Sequence, residues 1–192
     1  MVQVQQPAPN FKAKAVVNGE IKEISLSDYK GKWLILYFYP LDFTFVCPTE
    51  IIAFDQQLDK FKSLNAEVLG CSVDSEHFHR AWQNLAPKDG GIGKLKHPLL
   101  ADITKDIARD YGVLLPAGIA LRGLFIINPE GKIEYQVVHN LGIGRNVDEI
   151  VRVLEGIQFA AKSGEVCPAN WNKGKTGMKA TPEGVRTYLG SH

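Results

Sequence analysis

Apolar and polar positions along the chain follow two periods, and the period switches repeatedly. Residues 16–21, Val-Val-Asn-Gly-Glu-Ile, predict a hairpin, because Asn18-Gly19 readily takes the positive φ angles of a tight turn. Residues 33–39 form a continuous apolar and aromatic run stopped by Pro40, the pattern of a central strand buried on both faces. Beyond a loop, Ile51, Phe54, Leu58 and Phe61 recur at i, i+3, i+7 and i+10 and describe one helix face. A strand over 66–73, a helix over 76–85 and a loop with Gly90-Gly91-Ile92-Gly93 follow. Next come a short strand at Leu99-Leu100 and a helix near 104–111, with Gly112 as its stop signal. Residues 124–127 and 132–138 flank Asn128-Pro129-Glu130-Gly131, a β-turn sequence, so this pair is predicted antiparallel. Asn146 is placed to cap a further helix, with Asp148 and Glu149 in its first turn and Ile150, Leu154 and Ile157 on its buried face.

Strands alternate with helices first, and a hairpin closes the sheet before the last long helix. The predicted fold class is therefore α/β, a central mixed β-sheet flanked by helices. From Ser163 the texture changes to loop-like sequence around Cys167-Pro168 and Lys173-Gly174-Lys175. Thr181-Pro182-Glu183 then opens a short final helix, cap first and proline next. The reading is a main domain over 1–162 and a C-terminal arm over 163–192, the arm suited to a partner subunit.

Composition narrows what such a frame does. Of 192 residues, 45% are hydrophobic, which suits a packed core and not a disordered chain. The 22 Lys and Arg against 21 Asp and Glu leave a net charge of +1, so no global field points to nucleic acid or an acidic membrane. No apolar run approaches the ~20 residues of a membrane span. The first residues lack a basic region followed by an apolar stretch, so the expected location is cytoplasmic. Three cysteines are too few, and an odd number, for a disulfide scaffold.

The cysteines sit in three different settings. Cys47 lies where a loop leaving the 33–39 strand enters a helix, and Pro48 suits the first helical position. The end of a central strand is where α/β sheets place ligands, and a helix N-terminus favours an anion, which for cysteine is the thiolate. An ordinary thiol of pKa about 8.5 is only ~3% ionised at pH 7, and a helix end contributes about 0.3–1 kcal/mol. A fast thiol enzyme therefore needs a nearby cation such as arginine, and donors for the attacked and leaving atoms. Cys71, inside the 66–73 strand, reads as a core residue, and Cys167 as a loop thiol on the arm.

Three motifs in order resemble the typical 2-Cys peroxiredoxins, including bacterial alkyl hydroperoxide reductase peroxidase subunits. Pro40, Thr44 and Cys47 match the active-site pattern, Val166-Cys167-Pro168 the C-terminal one, and Arg122 the arginine before a strand. The similarity runs from about Ala8 to Leu189 and implies a thioredoxin-like fold. It also implies a thiol peroxidase acting on hydrogen peroxide and small organic hydroperoxides, with no metal, haem or flavin. By resemblance Cys47 is the peroxidatic nucleophile, Thr44 positions the peroxide, Pro40 shields the pocket and Arg122 stabilises thiolate and peroxide. Glu50 and Arg145 match the family's supporting glutamate and arginine. Arg122 lies between Ala120-Leu121 and Gly123-Leu124, an apolar setting where a bare charge is costly.

The resemblance makes Cys167 the resolving cysteine, forming an intersubunit Cys47–Cys167 disulfide in a homodimer. A decamer of five dimers is expected in the reduced state, and a thioredoxin or a flavoprotein disulfide reductase is expected as electron donor. Gly90-Gly91-Ile92-Gly93 resembles the loop of easily overoxidised members, but Tyr188-Leu189 stands where those have Tyr-Phe, so intermediate sensitivity to overoxidation is expected. The alternative function is a redox-controlled holdase chaperone or signalling scaffold built on the same oligomer. His77 and His79 lack the i, i+4 spacing of helical metal ligands and read as a solvated helix end. Trp82 and Trp171 read as packing residues.

Overall fold

The structure is a computed structural model that describes residues 2–191. Two compact units divide the chain, one up to Val147 and one from Asp148.

The first unit holds a seven-stranded mixed sheet in the order β2-β1-β5-β4-β3-β6-β7. These strands are β1 (Lys12–Val17), β2 (Glu20–Ser25), β3 (Trp33–Phe38), β4 (Ala66–Ser72), β5 (Leu99–Ala101), β6 (Arg122–Ile127) and β7 (Ile133–His139). β3 pairs in parallel with β4, and β4 with β5, while β6 and β7 add an antiparallel edge. This is the mixed sheet the alternation predicts. The hairpin turn carries Asn18 at φ 51° and Gly19 at φ 81°, and β1 pairs with β2 from Lys12↔Ser25 to Val17↔Glu20. The β6–β7 turn is tied by the Asn128 side-chain oxygen, which accepts from Glu130 N and Lys132 N.

β3 is buried on both faces, as its unbroken apolar run requires. Leu34, Leu36 and Phe38 enter a core with Leu69, Tyr111, Phe125 and Ile127. On the opposite face Tyr37 stacks on Phe54 of α1 (Cys47–Gln56), with ring centroids 4.3 Å apart. Burying each such side chain contributes roughly 1.5–3 kcal/mol, so this central strand anchors whatever its C-terminal end carries.

The helix expected to run through Ile51, Phe54, Leu58 and Phe61 is two helices, α1 and α2 (Leu58–Ser63). The break lies at Gln57 (φ −95°, ψ 6°), whose N–H reaches back three residues to the Phe54 carbonyl, a tightened last turn. All four apolar residues stay buried across it. α3 (Glu76–Gln83) follows β4, capped by Ser75, whose Oγ accepts from Phe78 N. α4 (Asp106–Asp110) is shorter than expected, because Lys105 takes φ 65°. The Asp102 carboxylate accepts from Ile107 N and Ala108 N and satisfies that helix end.

The second unit takes in most of α5 (Val147–Ser163) and α6 (Pro182–Gly190). Between them Val166 and Met178 exchange two backbone hydrogen bonds of 2.9 and 3.0 Å. Buried Trp171 packs on Phe159 and donates its indole N–H to the Lys175 carbonyl. Thr181 Oγ1 accepts from Gly184 N and caps α6, as the Thr-Pro-Glu sequence predicts. No helix of the described residues is long and apolar enough to cross a membrane.

Candidate active site

The chain leaves β3 through Tyr39 and Pro40, both buried, and turns at Phe43, whose φ is 55°. A non-glycine residue in that left-handed region is held by its surroundings. Here the Phe43 ring lies 5.4 Å from Trp82 and 6.5 Å from Phe78. Thr44 Oγ1 donates to the Leu41 carbonyl at 2.8 Å, which closes the turn before Cys47. Cys47 itself opens α1, and Pro48 takes the second helical position rather than the first. The sulfur therefore sits at the positive end of the helix dipole, and its residue is fully buried.

One turn further along α1, Glu50 is also buried. Arg122, at the start of β6, donates from Nη1 to Cys47 Sγ at 3.4 Å and to Glu50 Oε2 at 2.6 Å. Its Nε donates to the Leu141 carbonyl. Arg145 grips the same carboxylate through its backbone N–H (2.8 Å), Nε (2.7 Å) and Nη2 (3.0 Å). Its Nη1 donates to the Gly123 carbonyl, and its guanidinium lies 5.3 Å above the Tyr37 ring. Cys47, Glu50, Arg122 and Arg145 thus converge, while Thr44 and Pro40 lie in the loop that delivers Cys47.

Burial works against the Glu50 charge, but the hydrogen bonds and charge of Arg145, followed by Arg122, outweigh it and hold the carboxyl below its ordinary range. Two guanidinium charges face one carboxylate, which leaves one positive charge beside the sulfur. An anion there balances the cluster, and an uncompensated charge in so buried a place would be costly. Arg122 is the nearby cation that the thiol arithmetic demands, and it offers a donor to a second atom bound next to the sulfur.

The other two thiols differ. Cys167, in the second unit, is half-buried and donates to the Gly156 carbonyl at 3.4 Å. Burial pushes this thiol up, with Arg152 pulling the other way. Cys71 is fully buried in β4, and burial, reinforced by Asp102, pushes it up strongly, which makes it an inert core residue.

Comparison with known proteins sets this site in a family. The model of the AhpC/TSA family matches residues 4–136, and that of the C-terminal domain of 1-Cys peroxiredoxin matches residues 156–191. The chain belongs to the AhpC/TSA family. It is 51% identical over 194 residues to a mitochondrial thioredoxin-dependent peroxide reductase of Drosophila melanogaster, covering 100% of this chain and 83% of that protein. Identity to the corresponding protein of Mus musculus is 54% over 187 residues, covering 97% and 73%. Among solved structures, the reduced 2-Cys peroxiredoxin of Plasmodium vivax superposes with a TM-score of 0.96 at 51% identity, covering 97% and 98% of the two chains. AhpC of Enterococcus faecalis gives 0.82 at 43%, covering 88% and 100%. The fold is thioredoxin-like, and the AhpC/TSA chain is a peroxiredoxin, an oxidoreductase that reduces peroxide through a thiol.

Two groups in this AhpC/TSA chain escaped the sequence reading. His79 is not a solvated helix end; it is fully buried, whereas His77 is exposed. Its Nδ1 lies 2.8 Å from Asp42 Oδ2 and its Nε2 3.1 Å from the Leu100 carbonyl, so both ring nitrogens face oxygen acceptors. Tyr39 donates to the other Asp42 oxygen at 2.8 Å. This network fixes the loop that carries Thr44 and Cys47. The second group is Tyr37, His97 and Asp55, with Tyr37 Oη 2.8 Å from His97 Nε2 and His97 Nδ1 3.0 Å from Asp55 Oδ1. One signal was available: Tyr37 and Tyr39 place two hydroxyls on one face of a buried strand, and buried phenols need partners.

Proposed function

We propose that this chain reduces hydrogen peroxide and small organic hydroperoxides with Cys47 as the attacking thiolate. The sulfur bonds to one peroxide oxygen as the O–O bond breaks, giving a Cys47 sulfenic acid. The other oxygen takes a proton and leaves as water or an alcohol. Arg122 donates toward the sulfur and the lengthening O–O bond. Thr44 positions the peroxide by its hydroxyl, and Pro40 shields the pocket. Glu50 orients Arg122 and Arg145 and keeps their charges compatible with burial. The observation that carries this reading is the single Arg122 nitrogen bonded to both Cys47 Sγ and Glu50.

Cys167 of a partner subunit then attacks the sulfenic sulfur, forming the Cys47–Cys167 disulfide and releasing water. A dithiol protein, a thioredoxin or a flavoprotein disulfide reductase, restores both thiols by exchange. Supporting the thioredoxin route, several relatives are named thioredoxin-dependent peroxide reductases. The working unit is a homodimer, assembled as a decamer when reduced. Its site of action is a reducing compartment, taken as the cytoplasm, although those two relatives are mitochondrial.

The test gives reduced wild type, Cys47→Ser and Cys167→Ser one equivalent of hydrogen peroxide. Products are read on a non-reducing denaturing gel and by intact mass. A covalent dimer in wild type alone, with sulfenic acid in Cys167→Ser, is the expected result. A peroxide-reactive Cys47→Ser variant would overturn the assignment, and an internal disulfide in monomeric wild type would move resolution within one chain.

A further inference from the structure

Cys47 is fully buried, so no outside thiol reaches its sulfur until the start of α1 opens. Opening must release Glu50 from Arg122 and Arg145. How far it spreads depends on the next point at which α1 is held. Beyond the packing of Ile51 and Phe54, the next hydrogen-bonded anchor is Asp55, in the last turn of the helix, whose Oδ1 accepts from Lys96 N at 2.7 Å and His97 Nδ1 at 3.0 Å. Burial opposes the Asp55 charge, but the His97 and Lys96 hydrogen bonds outweigh it and keep the carboxyl below its ordinary range.

His97 is itself buried, and its far nitrogen meets the Tyr37 hydroxyl at 2.8 Å. Burial pushes the Tyr37 phenol well up, so it keeps a proton to donate. The Tyr37 ring stacks on Phe54 and lies beneath the Arg145 guanidinium. A path of contacts therefore leaves α1 at Glu50, runs through Arg145, Tyr37 and His97, and returns to α1 at Asp55. This circuit ties the last turn of α1 to the turn that carries Glu50.

We propose that His97 is a positioning residue that holds α1 closed by keeping Asp55 and Tyr37 together, and so sets how long an oxidised Cys47 stays buried. This rests on the reading of Cys47 as the peroxide-reacting thiol. A buried sulfenic acid stays within reach of a second peroxide. Its sulfur bonds to one peroxide oxygen, the O–O bond breaks, water or alcohol leaves, and a sulfinic acid results. An opened α1 instead lets a thiol take the sulfenic sulfur. His97 thus biases the partition between sulfinic acid and disulfide without touching the reacting atoms.

The experiment uses full-length reduced protein with a moderate excess of hydrogen peroxide, reading the sulfinic-to-disulfide ratio by intact mass and the first oxidation rate by stopped flow. His97→Gln removes the nitrogen that faces Asp55, while His97→Asn keeps an amide donor near the Nδ1 position. Asp55→Ala cuts the pin from the helix side. Losing such a bond is expected to lower the sulfinic-to-disulfide ratio about fivefold in Asp55→Ala and His97→Gln. His97→Asn keeps the donor to Asp55 but no longer reaches Tyr37, so its ratio is expected to fall likewise, because the bridge needs both contacts. The first oxidation rate is expected to be unchanged in all three.

A wild-type ratio in either His97 variant would overturn the proposal. So would a slower first oxidation at an unchanged ratio, which would assign His97 to the placement of Arg145. If Asp55→Ala does not fold, the two His97 variants decide alone. A wild type that peroxide leaves unoxidised at Cys47 would overturn the functional reading instead.

Discussion

Arg145 holds Glu50 by two parallel hydrogen bonds, Nε to Oε1 at 2.7 Å and Nη2 to Oε2 at 3.0 Å, and adds its own backbone N–H. Such a fork fixes both distance and plane, so the carboxylate is held in place for Arg122. Replacing it by an amide leaves two buried guanidiniums without their carboxylate. Glu50→Gln is expected to cost about 3–5 kcal/mol of stability, the usual consequence of removing one member of a buried ion pair. Denaturant unfolding measures it, and peroxide reactivity should fall with it because Arg122 loses its fixed orientation. A stable, fully active Glu50→Gln protein would contradict this account.

The same carboxylate sets an acid limit. The folded-state pKa of Glu50 is depressed, so its contribution to stability is complete above the ordinary glutamate value of about 4.3 and is lost as pH falls through the depressed value. Unfolding free energies of wild type and Glu50→Gln are expected to differ by a constant amount from pH 7 to about 5 and to converge only below about 4. Convergence already near pH 6 would show that Glu50 is not held in its charged form.

How much of this was legible in the sequence depends on whether a contact is local. The period-two and 3.6-residue patterns placed the strands and helices, because burial of one face is written into neighbouring positions. Pro40, Thr44 and Cys47 lie within one loop and could be read together. Arg122 stood out because a charge between apolar residues needs a partner. The helix break at Gln57 left no trace, since Leu58 and Phe61 remain buried on either side of it. Reading His77 and His79 together as a solvated helix end overlooks that, two residues apart on a helix, they lie on different faces. Glu76, His79, Trp82 and Gln83 share the buried face of α3. The link from Asp55 to His97 spans 42 residues and depends on how the chain entering β5 lies beside α1. Strand register of that kind is a tertiary outcome.

The two thiols outside the active site should label in an order set by burial. Cys71 is fully buried and its thiol is pushed up strongly by burial, so iodoacetamide is expected to leave it unmodified until the protein unfolds. Cys167 is half-buried and also pushed up by burial, so its alkylation should be slow at pH 7 and accelerate as pH rises. Removing the Arg152 charge, as in Arg152→Met, removes the influence that pulls this thiol down and should slow labelling further at any given pH. Site-resolved mass spectrometry reads both; labelling of Cys71 in folded protein would contradict the assignment of that residue to the core.

Gly70 shows how little slack surrounds the Tyr37 hydroxyl. A Cβ added there would lie 2.6 Å from Tyr37 Oη and 2.7 Å from Leu99 Cδ2, closer than real carbon contacts come. Gly70 sits in the middle of β4, paired with Tyr37 of β3 on one side and Leu99 of β5 on the other, so the backbone cannot step aside. The Tyr37 ring cannot step aside either, because it is stacked on Phe54 and bonded to His97. Gly70→Ala is therefore expected to destabilise the fold by about 1–3 kcal/mol through overpacking, read as a lower denaturant midpoint at unchanged slope. In Gly70→Ala combined with Tyr37→Phe the hydroxyl is gone, while the contacts with Leu99 Cδ2 and with the ring carbon Cζ of residue 37, both at 2.7 Å, remain, so the double variant should recover only a small part of the loss. Strict additivity of the two substitutions would show that the alanine methyl and the Tyr37 hydroxyl do not compete for the same space.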